Sequence, residues 1–141
     1  MTPLSWRNLR VALLLSVVCL SGFQCWKTVS VSFVDSPGYV DPISFFQRVK
    51  TTVTASGFQQ TEEFDRADSI ISVFTPIKVT PEIKGDDGGV TVYFDKSSRE
   101  TTVRFSQLRP FTAAGKKRYR SLVAALKQAF GEGVVRAEEV D

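Results

Sequence analysis

The chain has 141 residues, 43% of them hydrophobic, with 18 Lys and Arg against 15 Asp and Glu, two Cys and no His. That apolar share supplies one globular core and is too high for a disordered chain. Without a His, Ser-His-Asp and Cys-His catalysis are excluded, as are the commonest zinc sites.

In chain order the first feature is a basic head, Arg7 and Arg10, followed by the apolar run Val11 to Leu20 and the small pair Ser21-Gly22. Charged, then greasy, then cleavable is the order of a bacterial secretory signal. A membrane span is the rival reading, and a spanning helix needs about 20 apolar residues. Arg10 and Lys27 bracket only residues 11–26, and these include Ser16, Ser21, Gly22 and Gln24. An export signal is therefore expected, with an uncleaved anchor as the alternative.

Both cysteines, Cys19 and Cys25, lie at the distal end of this run, and residues 26–141 contain none. A lone leftover thiol is a liability in an oxidising compartment, whereas an acylated first residue leaves no free thiol. The sequence Leu20-Ser21-Gly22 followed by Cys25 resembles a bacterial lipoprotein signal. Such signals place a small residue directly before the cysteine, and here Gln24 precedes Cys25 and Val18 precedes Cys19. Cleavage after Ser21 by an ordinary signal peptidase stays open beside it. The resemblance covers the first 25 residues and implies a processing route, with Cys25 the lipidation candidate; it says nothing of the folded part.

Residues 26–141 are expected to form a single domain. Leaving Arg7 and Arg10 with the signal, 16 basic residues face 15 acidic ones, so no global charge points to nucleic acid. Lys27 to Val34 alternates Val29, Val31 and Phe33 with Thr28, Ser30 and Ser32, a half-buried strand that Asp35-Ser36-Pro37-Gly38 ends. Asp41-Pro42 opens a helix as N-cap and first helical residue. Ile43, Phe46, Val49 and Val53, with Phe45 beside them, make its apolar stripe, and Gly57 closes it. Phe58 to Asp68 is polar and reads equally as a loop or a short strand. The Ile- and Val-rich run from Ser69 to Val79 predicts a strand buried in part on both faces, disturbed at Pro76. Pro81 to Gly89 reads as an exposed connection.

Val90, Val92 and Phe94 then alternate with Thr91 and Tyr93, and after a turn at Ser97-Ser98-Arg99, Val103 and Phe105 alternate with Thr102, Arg104 and Ser106: a hairpin. Thr112 caps a second helix whose stripe is Tyr119, Leu122, Val123, Leu126 and Phe130, closed by Gly131. A short strand at Val134-Val135 precedes an acidic tail. The expected fold is α+β: two layers, a mainly antiparallel sheet of about four to five strands, and two helices on one face.

The carboxylate pairs Glu62 and Glu63, Asp65 and Asp68, and Asp86 and Asp87 are the available acid/base chemistry, but each sits in a polar stretch where solvated carboxylates are ordinary. Asp86-Asp87-Gly88-Gly89 lacks the alternating acids and distal Glu of a calcium loop. No metal, cofactor or catalytic residue is assigned. Lys116, Lys117, Arg118 and Arg120 cluster in the first turns of the second helix, where the macrodipole disfavours cations, and are the candidate surface for an anionic partner. The expected role is non-enzymatic: an envelope protein facing the periplasm that binds or supports an envelope protein, or an anionic lipid or lipopolysaccharide surface. Two alternatives are an inhibitor or immunity protein directed against a periplasmic hydrolase, and a carboxylate-dependent enzyme.

Overall fold

A computed structural model describes residues 25–31, 38, 41–77, 88–107 and 112–140. The export signal, most of the 35–38 turn, Pro110 and the Asp86-Asp87 pair lie outside the described residues. In chain order the elements are β1 (Cys25–Val31), α1 (Pro42–Ala55), β2 (Phe58–Asp65), β3 (Ser69–Pro76), β4 (Gly89–Asp95), β5 (Thr101–Gln107), α2 (Ala113–Phe130) and β6 (Val135–Ala137).

The six strands form one sheet in the order β2-β3-β4-β5-β1-β6, and every neighbouring pair is antiparallel. The first strand is thus an interior one, inserted between β5 and the C-terminal β6. Period-two alternation turns Val29, Val31, Phe74, Val90, Val92, Phe94, Val103 and Phe105 to one face, where all are buried. Both helices cover that face: Phe46 of α1 meets Phe94 at 5.4 Å, and Tyr119 of α2 meets Phe105 at 5.8 Å. The helices run antiparallel, since Phe45 near the start of α1 packs on Phe130 at the end of α2, 5.0 Å between rings.

The α+β class and the antiparallel sheet agree with expectation, and the sheet is larger than four to five strands. The added strand is β2, within the stretch that reads equally as a loop. Only Phe58 of it is buried and the rest is exposed, because β2 is an edge strand with no core to alternate against. A bulge between Gln60 and Glu62, together with Glu62, Glu63 and Asp65, blunts that edge against further strand pairing. β3 also departs from expectation. Ile71 and Val73 are half-buried rather than enclosed, because they face away from the helices with Tyr93 and Thr91. In α1 the stripe is rotated: Ile43 is 43% exposed, while Phe45 is fully buried beside Phe46, Val49 and Val53.

Candidate functional site

The residue singled out for attachment, Cys25, is the first residue of β1, and its backbone stands opposite Gln107 at the end of β5. Gln107 continues the inward row of Val103 and Phe105, so its amide is buried among apolar groups. There its Nε2 donates to Thr112 Oγ1 at 3.3 Å, and Thr112 Oγ1 in turn accepts from Gly115 N at 3.0 Å, capping α2. A Cβ on Gly115 would come within 2.4 Å of Gln107 Oε1, so the first turn of α2 lies directly on this side chain. One buried glutamine therefore joins the start of β1 to the start of α2.

The same end of the sheet carries Gly88, whose backbone has φ +117 and where a Cβ would sit 2.5 Å from Phe105 Cζ. It also carries Ile77, half exposed, whose N–H donates to the Gly57 carbonyl beyond the end of α1. This end is assembled from Cys25, Gly57, Ile77, Gly88, Gln107 and Thr112, positions far apart in the chain.

The four clustered cations do not form one surface. Successive helical residues turn by about 100°, so Lys116 and Arg120 share one flank of α2, Lys117 points outward, and Arg118 falls on the opposite flank. Lys117 and Arg120 are exposed and Lys116 is half-buried. Arg120 donates to the Val140 carbonyl at 3.0 Å, tying down the C-terminal tail. The terminal nitrogens of Arg118 are shielded from solvent, which removes it from the outward cationic face. Among the described residues, Lys116 and Lys117 form no ion pair, and α2 has no acid in its first turn.

A groove of about 800 Å³ runs between α2 and the tail, floored by Val123, Ala124 and Val140 and rimmed by Arg120, Lys127 and Glu139. Tyr119 closes one side. Its hydroxyl donates to the Glu138 carbonyl at 2.6 Å, and burial, with the nearby Glu138 charge, pushes its pKa up to about 12.

Of the carboxylates considered for acid/base work, Glu63, Asp65 and Asp68 are engaged in structural contacts. Glu63 accepts from Lys50 Nζ at 2.6 Å and from Ser72 Oγ at 2.7 Å, and these bonds hold its pKa below the ordinary 4.5. Glu62, its neighbour, pairs across to Val73 and points to the other face of the sheet, so the two do not converge. Asp65 is ion-paired to Lys96 at 2.6 Å, and Asp68 accepts from Ser69 Oγ at 3.0 Å. No group of three His, Cys, Asp or Glu among the described residues is placed to hold a metal ion, and no described helix is long and apolar enough to cross a membrane.

No family model, curated protein or solved structure matches the chain. The residues that build this end and that sequence reasoning did not single out are Gln107, Gly88, Gly115 and Ile77. For Gln107 a signal was available, because the inward alternation of Val103 and Phe105 carries on to it. For the two glycines there was none, since the atoms they make room for belong to other elements.

Proposed function

We propose that the chain is a lipid-attached domain of the bacterial cell envelope, carried at Cys25, facing the periplasm and acting by binding another envelope component rather than by catalysis. The observation that carries this reading is the pairing of Cys25 with Gln107. The residue that resembles an acylation site is itself a rung of the sheet, so the lipid and the folded domain meet without a spacer. A non-enzymatic role is supported by the carboxylates. Glu63, one of the carboxylates weighed for acid/base work, has its pKa lowered by hydrogen bonds to Lys50 and Ser72. A general acid needs a shift in the other direction.

Metabolic labelling with a fatty acid tests the attachment: the native chain takes up label and Cys25→Ser does not. Persistence of label in Cys25→Ser, or no label in either, contradicts the reading. The role is tested by isolating the chain from envelopes under mild detergent. A stoichiometric hydrolase, inactive in the complex and active once freed, selects the inhibitor reading instead. A loss of activity on replacing Asp65 and Asp68 by Asn, with the fold intact, selects the enzyme.

A further inference from the structure

We infer that the Cys25 end of the domain rests on an anionic phospholipid surface, with Lys116 and Lys117 against the head groups; this rests on lipid attachment at Cys25. Three features meet there. The first is placement. Cys25 is opposite Gln107, and Gln107 is in contact with Thr112 and Gly115, so the start of α2 and the attachment residue share one end of the molecule. With a rise of about 1.5 Å per residue, Lys116 and Lys117 stand roughly 5–6 Å along the helix from Ala113. That is inside the Debye length of about 8 Å at physiological ionic strength.

The second is charge. Lys116 and Lys117 have no carboxylate partner among the described residues and sit where the helix dipole opposes cations, so the fold itself gives them no compensation. An anionic surface does. The acids of the β6 flank are Glu138, whose carboxylate accepts the Thr28 N–H at 2.7 Å, about 10 Å back from Cys25 along β1, and Glu139, which lines the groove with Arg120. The opposite end of the sheet offers no such face. It mixes signs, with Lys96 bound to Asp65 and to the Arg66 carbonyl. The third is Ile77, which among the described residues of the Cys25 end is the large apolar side chain half open to solvent, suited to the boundary between head groups and acyl chains.

Each lysine near an anionic leaflet shifts membrane partition by about fivefold. The test uses the mature chain as its host makes it, reconstituted in vesicles of phosphatidylcholine alone or with phosphatidylglycerol. Each lysine is labelled with an amine-reactive reagent and quantified by peptide mass, with Lys96 at the far end as the internal control. The expected result is labelling of Lys116 and Lys117 lowered by about fivefold in the anionic vesicles, restored by high salt, with Lys96 unchanged. Equal labelling of Lys116 and Lys117 in both vesicle types, on a chain whose mass shows the acyl group, overturns the inference and leaves attachment standing. A chain without the acyl group overturns the attachment reading, and the inference falls with it.

Discussion

At the end of the sheet that carries the β4–β5 turn, the chain is held by polar contacts, some between near neighbours and some, like Lys96 to Asp65, across the sheet. Asp95 Oδ1 accepts from Ser97 N at 2.8 Å, Ser97 Oγ at 2.7 Å and Ser98 N at 3.0 Å, and Arg66 N donates to the Ser69 carbonyl at 2.8 Å. At the Cys25 end the contacts that fix the geometry are buried contacts of shape. Gly88 fits against the Phe105 ring, and Gly115 against the Gln107 amide. The first end is made of replaceable polar bonds, and exposed ones contribute little each. The second leaves no room for a methyl group, so its geometry is fixed by the core. A rigid end is suited to hold an anchor and cations in one plane, and a locally bonded turn is suited to face solvent.

The sharpest way to break this contrast is at Gly88. Alanine there meets a fully buried ring and a left-handed backbone, so Gly88→Ala is expected to cost roughly 2–4 kcal/mol in urea unfolding. A cost near zero would mean that Phe105 is not held rigidly. Gly115→Ala comes next, at roughly 1–2 kcal/mol, because the clash with Gln107 outweighs the better helix propensity of Ala. In a Gln107→Ala background the loss should shrink; an unchanged loss would show that the two are not in contact.

Tyr119→Phe removes the bond to the Glu138 carbonyl and should cost about 1 kcal/mol at neutral pH. The folded pKa is raised from 10.0 to about 12, so the folded state keeps a proton that the unfolded chain releases. The contribution is whole below pH 10 and is lost between pH 10 and 12. Stability of the native protein should fall across that window, and Tyr119→Phe should flatten the fall.

Away from the Cys25 end the expected effects are smaller. Glu63→Gln weakens a partly exposed ion pair and should cost roughly 0.5–1 kcal/mol. With its folded pKa below 4.5, its contribution is present above that pH and is lost as pH falls through the lower folded value. Glu63→Gln should therefore unfold with a weaker acid dependence. The smallest effect is a gain: Arg99 has a left-handed backbone, φ 62, and Arg99→Gly should add about 0.5 kcal/mol. A loss of stability would show that the turn relies on the Arg99 side chain.

The contrast between the ends also separates what the sequence made legible from what it hid. The β4–β5 hairpin, the Asp41 cap and the stripe of α2 depend on neighbours within one element, and each is readable from spacing. β2 was ambiguous because an edge strand exposes nearly all its residues and so carries no alternation. The cation cluster was legible as composition but not as a surface. Only the helical angle and the burial of Arg118 reduce it to Lys117 on the outward side and Lys116 on one flank, with Arg120 held by the tail. The adjacency of Cys25 to the start of α2 depends on β1 being inserted beside β5, a pairing across most of the chain that no local pattern announces.

The intact mass of the chain recovered from the membrane fraction of its host, with its N-terminus mapped, tests the central claim most directly. A chain that begins at Cys25 and carries acyl mass is the predicted result. A chain that begins near Gly22 without lipid, or one that keeps its first residues, would contradict it.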